Sequence, residues 1–467
     1  MSQTLDSSAI ERKELFGHPV GLYILFFTEL WERFSYYGMR AILVLYIITS
    51  ATGDNPGLGW AEGDAMSLYG TYTMLVYLMS IPGGIVADKF LGQKKTVMVG
   101  GLLLCAGHIV LAFESLAAFY AGLGLIVLGV GGLKPNISTM VGGLYPAGDE
   151  RRDKGFTIFY IGINVGAFLS ALIVGYVADE YGWHYGFGLA GLGMILGQVV
   201  FMLGQPYLKG IGEATSGLSP AEQAAKEKPL STVEKDRIKV MLISFLMIIV
   251  FWGAFEQAGG LMNIYAEQKT NRFLGMFDYT IPASWFQSVN AFFIITLGTP
   301  IAGFWYWWKK KGKESSSILK MALGIIIMGW GFLFMTAASL QYEAEGSSAM
   351  YWLVLAYLFH TIGELCASPV ALSFITKLAP LKYASLMMGA YFAATGLGNK
   401  VAGLLGEWSQ SAGELEIFTG IAIFCTIFGL LVIAILKPLK RLTHGAEDFK
   451  DSHHEEQEGF EIADTEA

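Results

Sequence analysis

The sequence predicts an all-α membrane protein whose twelve transmembrane helices form two bundles of six. Three observations support this fold class. Of the 467 residues, 54% are hydrophobic and only 15% are charged, whereas about 25% of the residues of soluble proteins are charged. The apolar residues are concentrated in stretches of about 20, which is the length of a helix that crosses a bilayer. A polar segment divides these stretches into two equal sets.

Each set contains six stretches that are separated by short polar interruptions. The first set lies near residues 18–49, 65–87, 96–114, 117–144, 155–178 and 185–206, and the second lies near residues 237–266, 283–308, 317–340, 348–378, 383–408 and 416–437. We therefore expect an N-terminal bundle over residues 18–206 and a C-terminal bundle over residues 237–437. Outside the bundles we expect an N-terminal segment at 1–17, a linker at 207–236, and an acidic tail at 438–467 that is too polar to fold.

The distribution of lysine and arginine predicts the orientation in the membrane. The even-numbered connections between spans are basic, as in the groups Lys94–Lys95 and Arg151–Arg152. Of the odd-numbered connections, only the one after the seventh span carries any such residue, namely Lys269 and Arg272. Because cytoplasmic connections carry the positive charge, both termini and the linker are expected in the cytoplasm. The expected location is the plasma (inner) membrane, which the chain would cross many times.

Several classes of function are not supported by the sequence. The three cysteines, Cys105, Cys366 and Cys425, lie in separate apolar spans without metal-ligand spacing, so we expect free thiols and no metal site. No phosphate-binding loop and no nucleophile triad is found. We therefore expect neither an enzyme nor an ATP-driven pump. Nothing indicates nucleic-acid binding, a cofactor or an obligate protein partner, and the bilayer itself is the expected surrounding.

The first span carries an unusual polar stripe. Its members lie on one face of a helix. Glu29 is followed by Arg33, Tyr36, Tyr37 and Arg40 at spacings of four, seven, eight and eleven residues, and Glu32 lies beside Arg33. Eleven residues correspond to about 16 Å of helix, which is about half of the hydrocarbon thickness. Ionisable groups at this depth generally mark a transport pathway or a proton relay. The alternative is a buried network of ion pairs that only holds helices together.

The connection between the second and third spans forms a short basic hinge. It reads GIVADKFLGQKK from Gly84 to Lys95 and contains Asp88, a turn glycine at Gly92 and a pair of lysines. This run resembles the signature loop of the major facilitator superfamily, with one residue inserted before the turn glycine. The alternative is an ordinary cytoplasmic turn.

The stripe in the first span resembles the ExxERFxYY motif of the proton-dependent oligopeptide transporter (POT) family. Further runs resemble motifs of the same family in the same order, and they are GLKPN with Lys134, FYIGINVGA with Asn164, FWGAFEQ with Trp252 and Glu256, QSVN with Asn290, and TIGELCASP with Glu364 and Ser368. The resemblance extends over nearly the whole chain. Many bacterial members carry two extra helices between the bundles, but this linker is too short and polar for them, so the chain looks like a twelve-span member.

The resemblance implies a symporter that imports di- and tripeptides together with protons by alternating access, using no cofactor other than the coupling proton. Peptide-like drugs are further expected ligands. One alternative is a symporter of the same fold for nitrate or another small anion. Another is a membrane sensor that keeps the fold without transporting anything.

Charges of opposite sign in the two halves agree with a zwitterionic ligand. The first half offers Arg40 and Lys134, and the second half offers Glu256 and Glu364, so an interior site could orient a peptide by its ends. The resemblance implies that Arg40 and Lys134 face the carboxyl end. It also implies that Glu364, Asn164 and Asn290 face the amino end, while Tyr37, Tyr77, Trp252 and Ser368 line the remainder of the site.

Proton coupling requires a carboxylate that exchanges between a cationic partner and an apolar surrounding, because it then gains and loses a proton. Glu29 and Glu32 beside Arg33, with Lys134 as a partner from another helix, have this arrangement. Glu256 opposite Arg40 is a second candidate. Among the other intramembrane polar residues, His108 and His360 are expected to be packing residues. Lys400 is expected to extend its ammonium towards the outer surface.

Overall fold

Twelve helices of membrane-spanning length make up most of the described chain. The structure is a computed structural model that describes residues 13–146, 149, 151–213, 229–380 and 383–446. The helices are α1 Val20–Ile48, α2 Glu62–Leu91, α3 Gln93–Leu111, α4 Leu116–Gly143, α5 Arg151–Tyr181, α6 Trp183–Leu203, α7 Thr232–Lys269, α8 Ala283–Lys310, α9 Ser317–Glu345, α10 Met350–Leu378, α11 Ala384–Ala412 and α12 Glu414–Ala434. The predicted spans agree with these bounds to within a few residues.

Ten of these twelve helices are long and apolar enough to cross a membrane by length and composition alone. The two others are α1, which carries the charged stripe, and α11, which contains Lys400. A short helix that the sequence did not suggest, α13 Leu436–Leu442, follows α12. The rest of the predicted tail beyond Ala446, and residues 214–228 of the predicted linker, lie outside the described residues.

The twelve helices pack as two bundles. In the first bundle α1 packs against α5 and α6, and α3 packs against α4 and α6. In the second bundle α9 packs against α10 and α12, while α11 packs against α7. The bundles meet along three pairs of helices, namely α2 with α11, α5 with α8, and α1 with the last part of α7.

Three two-residue ladders supplement the helices. Before α1, Glu14–Leu15 and His18–Pro19 pair in antiparallel fashion. After α7, Thr270–Asn271 pairs in parallel with Ser348–Ala349, which joins this connection to the start of α10. The hairpin of Phe273–Leu274 and Tyr279–Thr280 lies between α7 and α8.

Close backbone contact explains two of the glycine positions. A Cβ atom at Gly70 would lie 2.7 Å from the Cα atom of Gly403, so α2 and α11 touch through their main chains. Within the first bundle, a Cβ atom at Gly83 would lie 1.9 Å from the carbonyl oxygen of Gly131. Gly131 therefore admits α2 at close range, as small residues do in membrane bundles.

The bundles are fastened to each other on one side of the membrane. We call the side where the linker leaves α6 and enters α7 the linker side, and the opposite side the far side. In the far half Asn263 donates to the Ala41 carbonyl at 2.9 Å, and Trp285 donates to the Leu172 carbonyl at 3.0 Å. The Glu62 carboxylate accepts from both Gln268 and Gln410 at 2.8 Å. The far side is therefore closed in this conformation.

On the linker side, polar contacts anchor segments within their own bundle. Arg151 at the start of α5 donates to Glu14 at 2.8 Å and to the Gly17 carbonyl at 3.2 Å, which holds the first ladder in place. Side-chain hydrogen bonds from Arg151 also hold the pKa of Asp149 below its ordinary value. In the second bundle Arg237 of α7 donates to the Thr443 carbonyl after α13 at 3.1 Å. The predicted turn glycine Gly92 has a positive φ of 77° at the start of α3.

Candidate functional site

The polar stripe of α1 is buried inside the first bundle. Glu29 and Arg33 are each 3% exposed and Glu32 is 0% exposed. The Arg33 Nε atom lies 3.1 Å from the Glu29 carboxylate and also donates to Glu32. The stripe therefore holds two carboxylates around one guanidinium, which is the arrangement that the sequence predicted.

Lys134 of α4 does not form the ion pair that we expected with the α1 carboxylates. Its ammonium lies 3.8 Å from the ring centroid of Tyr77 of α2, which is a cation–π contact. Among the described residues, no carboxylate lies within 4.0 Å of its Nζ atom. Lys134 is still attracted electrostatically by the Glu29 and Glu32 carboxylates and repelled by Arg33.

Tyr37 connects the stripe to a second ion pair. Its ring lies 5.7 Å from the Arg33 guanidinium and 5.0 Å from the Arg40 guanidinium. Both distances fall within the range of cation–π attraction. The Tyr37 ring therefore contacts both guanidinium groups, Arg33 and Arg40, and stabilises each of them.

Arg40 and Glu256 form the ion pair that joins the bundles. The Arg40 Nη1 atom lies 3.0 Å from both oxygens of Glu256, and the Glu256 side chain is only 2% exposed. Tyr69 of α2 donates to the same carboxylate at 3.0 Å. One carboxylate of the second bundle is thus held by two helices of the first.

A break in α7 positions this carboxylate. The α-helix ends at Phe255 and is followed by a 3₁₀ turn, Glu256–Ala258, before it resumes at Leu261. The tight turn is followed by Gly259, where a Cβ atom would lie only 2.1 Å from the Tyr69 hydroxyl oxygen. The break therefore lets α1, α2 and α7 meet around Glu256.

Glu364 of α10 and Asn290 of α8 meet in the second bundle, as the resemblance implied. The Asn290 amide donates to Glu364 at 2.9 Å and to the Thr361 hydroxyl at 3.0 Å. Glu364 also interacts electrostatically with Glu256 and Arg40. Asn164 differs from the expectation, because its amide donates to the Tyr160 carbonyl of its own helix at 2.9 Å.

Trp252, Ser368 and Tyr391 line one small cavity between α7, α9, α10 and α11. Its volume is about 10 Å³, which is about the space of one water molecule. Trp252 also packs edge to face with Phe255, at 5.2 Å between ring centroids. Of the predicted lining residues, Trp252 and Ser368 thus share a cavity, whereas the Tyr37 and Tyr77 rings lie beside Arg40 and Lys134.

Comparison with known proteins places the chain in a family. The model of the POT family (PTR2) matches residues 94–224 and 221–415. A di-/tripeptide transporter of Lactococcus lactis subsp. cremoris is 36% identical over 489 residues, which cover 92% of this chain and 97% of that protein. The chain belongs to the POT family.

Two further relatives of the POT family extend this comparison. The peptide transporter YePEPT of Yersinia enterocolitica subsp. palearctica is 34% identical over 502 residues, which cover 93% of this chain and 97% of that protein. A crystal structure of a mutant of the peptide transporter POT in complex with alafosfalin is 35% identical, covers 92% of this chain and 97% of that chain, and superposes with a TM-score of 0.85. The chain is therefore a transporter of the major facilitator fold.

The structure also adds residues to the POT family site that sequence reasoning missed. Tyr69 and Tyr77 are eight residues apart, which places both on one face of α2, and this spacing could have indicated Tyr69. Thr361 lies three residues before Glu364 and shares its helix face in the same way. His108 and His360 are fully buried packing residues, as expected, and His360 lies 4.5 Å from Phe332 between ring centroids.

Proposed function

We propose that this chain is a proton-coupled symporter that imports di- and tripeptides into the cytoplasm by alternating access. The observation that carries the proposal is the distribution of charge across the two bundles. Arg40 and Lys134 belong to the first bundle, whereas Glu364, bound by Asn290, belongs to the second. The names of the relatives, and the alafosfalin bound to one of them, support the substrate class.

A short peptide is a zwitterion, so its two ends can bind to opposite bundles. Lys134 lies over the Tyr77 ring, and Tyr77 in turn interacts electrostatically with Glu364. We assign the peptide carboxylate to Lys134 and Arg40, and the peptide ammonium to Glu364 with Asn290. Asn164 can reach the peptide only if its amide leaves the Tyr160 carbonyl.

Proton coupling is assigned to the two buried groups of charges. In one group Glu29 and Glu32 share Arg33, and in the other Glu256 is held by Arg40 and Tyr69. Opening the far side must separate Arg40 from Glu256, which leaves a buried carboxylate without its cation. Proton binding to Glu256 removes that penalty and thereby links opening to protons. Lys134 is assigned to the first group as the exchanging cation.

The direction of import rests on the predicted orientation. The basic connections favour a cytoplasmic linker side, so the closed far side would face the exterior. The conformation described here would then be the one that releases peptide into the cytoplasm. Separation of the far-side contacts would give the conformation that takes up peptide.

Uptake into proteoliposomes with an imposed pH gradient tests this function. The wild type should accumulate a free dipeptide more strongly than its N-acetylated form. The variant Glu364→Gln should lose affinity for the free dipeptide by about 10- to 150-fold, since a charge-assisted hydrogen bond contributes about 1.5–3 kcal/mol. Its affinity for the acetylated form should change little. Glu407→Gln, at an exposed carboxylate of α11, serves as the matched control.

Three outcomes would contradict the proposal. Equal losses for both dipeptides would mean that Glu364 does not bind the amino end. Gradient-driven uptake of nitrate without dipeptide uptake would indicate the anion symporter. Specific dipeptide binding without accumulation would indicate the sensor.

A further inference from the structure

Lys400 of α11 lies at the contact between the two bundles and reaches α2. Its Nζ atom lies 2.8 Å from the Thr71 hydroxyl oxygen and 3.5 Å from the Ser67 carbonyl oxygen. Lys400 precedes the last residue of α11, Ala412, by twelve positions, which is about 18 Å along the helix. Polar atoms of α2 thus bind the ammonium, and the expected extension towards the outer surface stays a prediction.

This lysine carries a charge that its protein contacts do not neutralise. Among the described residues, no carboxylate lies within 4.0 Å of its Nζ atom. Lys269, also in the far half, differs because it contacts the Glu414 carboxylate. A cation at this depth usually has an anionic partner or faces a polar cavity. Among the described residues, the hydrogen-bond acceptors of Lys400 are two neutral oxygens, the Thr71 hydroxyl and the Ser67 carbonyl.

A polar notch opens beside these oxygens at the far half of α2. It has a volume of about 640 Å³, and its lining includes Asp64, Ser67 and Thr71. These residues are spaced three and four apart and therefore share one face of the helix. Asp64 is exposed, and it lies two residues after the far-side start of α2. The notch thus presents a carboxylate near the water and a lysine-bound hydroxyl deeper in the membrane.

The rim of the notch contains aromatic residues of the kind that proteins place at the membrane surface. Trp60 and Tyr120 both line it, and their ring centroids are 6.3 Å apart. Tryptophan and tyrosine are enriched where a protein meets the headgroup region. Tyr120 belongs to α4, where it is exposed together with Leu116 and Leu128, so this side of the notch borders an apolar surface of the kind that lipid covers.

We propose that this notch binds the headgroup of a phospholipid that carries a primary ammonium group. The phosphate binds Lys400 and Thr71, and the ammonium binds Asp64. In the far leaflet a phosphate lies deeper than the ammonium attached to it, which matches the depths of these residues. Asp64 and Thr71 are about 10.5 Å apart along the axis, so two hydrogen bonds of about 3 Å leave about 4 to 5 Å for the headgroup between them.

The site has a consequence for the transport cycle. Its phosphate ligands come from α2 of the first bundle and α11 of the second, which touch through Gly70 and Gly403. A lipid bound to both helices favours the conformation in which they are in contact. Phospholipids with a primary ammonium therefore stabilise the state whose far side is closed.

Native mass spectrometry of the full-length protein tests the site. Purified protein is mixed with phosphatidylethanolamine or with phosphatidylcholine of the same chain length, and the bound lipid is counted. The wild type should retain phosphatidylethanolamine preferentially. Lys400→Gln should weaken this binding about tenfold, whereas Lys400→Arg should preserve it. Asp64→Asn should remove the preference between the two lipids, because a trimethylammonium group cannot donate a hydrogen bond.

Lys269→Gln is the matched control, since it removes a far-side lysine outside the notch. Thermal unfolding of each variant identifies any that fail to fold. Asp64 is exposed, so Asp64→Asn should fold and can test the site even if Lys400→Gln does not fold. Unchanged phosphatidylethanolamine binding by a folded Lys400→Gln variant would overturn the proposal. Displacement of the lipid by a free dipeptide at transport concentrations would also overturn it, because the notch would then bind soluble zwitterions.

Discussion

Glu256 of the second bundle is held by two helices of the first bundle. It accepts two hydrogen bonds from Arg40 and one from Tyr69. Removing one partner of a buried ion pair costs about 3–5 kcal/mol, so the bundles cannot separate there without compensation. The Tyr69 hydroxyl adds a smaller contribution that can be removed without disturbing the charges.

Tyr69→Phe should therefore weaken the closed far side without abolishing it. Loss of one hydrogen bond is worth about 1 kcal/mol, which corresponds to about a fivefold increase in the open fraction. Spin labels at Thr52 and Ala344, on exposed far-side positions of the two bundles, would report this as a larger population at long distance. Tyr72→Phe is the control, because the Tyr72 hydroxyl is buried without a partner among the described residues. Equal distance distributions in both variants would show that Tyr69 does not contribute to closure.

At the level of elements, the break in α7 lets three helices approach one carboxylate. The segment after the 3₁₀ turn packs against α1 and donates through Asn263 to the Ala41 carbonyl. The closest contact is at Gly259, which has no room for a side chain beside Tyr69. This position therefore tests whether the approach of α7 to α2 is needed for closure.

Gly259→Ala should force α7 away from α2 and lower the midpoint of thermal unfolding by several degrees. The added methyl group would meet the Tyr69 hydroxyl oxygen at 2.1 Å, and overpacking of this kind costs about 1–3 kcal/mol. Gly303→Ala in α8 is the control, since no atom lies within 4 Å of its added Cβ. The double variant Gly259→Ala with Tyr69→Phe should recover part of the loss. A Gly259→Ala variant as stable as Gly303→Ala would show that α7 can shift freely.

The elements were predictable from the sequence to a greater extent than the contacts. Apolar stretches and basic connections located all twelve spans, because the cost of exposing polar backbone to lipid leaves a strong pattern. The ion pair of Arg40 and Glu256, and the contact of Glu364 with Asn290, followed from charges in motifs. The contact of Tyr69 with Glu256 was not predicted, because a tyrosine in an apolar span is usually a packing residue. The contacts of Lys134 with the Tyr77 ring and of Lys400 with Thr71 did not follow either, because a flexible lysine can reach several partners.

For the molecule as a whole, the two buried groups of charges lie in different places relative to the bundles. Glu32 is fully buried and bonded to Arg33 inside the first bundle, whereas the pair of Arg40 and Glu256 joins the two bundles. Under the proposed function, a substitution at Glu32 therefore tests proton coupling without removing a contact between the bundles.

Glu32→Gln should abolish dipeptide accumulation driven by a pH gradient, because glutamine cannot take up and release a proton. Exchange of dipeptide across the membrane in counterflow needs no net proton movement and should be largely retained. Both rates can be measured in the same proteoliposomes. Glu114→Gln, at an exposed far-side position, provides the comparison. Undiminished gradient-driven uptake by Glu32→Gln would exclude this group from the coupling mechanism.

The far-side closure is chemically asymmetric between the bundles. Four side chains of the second bundle donate to main-chain carbonyls of the first bundle. Asn263 and Gln287 donate to Ala41, Trp285 donates to Leu172, and Ser288 donates to Phe168. A helical carbonyl has a second lone pair and keeps its bond within the helix when the donor leaves. In these four contacts the acceptors are thus invisible to side-chain mutagenesis. Substitutions in α1 and α5 would leave these acceptors in place, whereas substitution of the donors in α7 and α8 would remove the contacts.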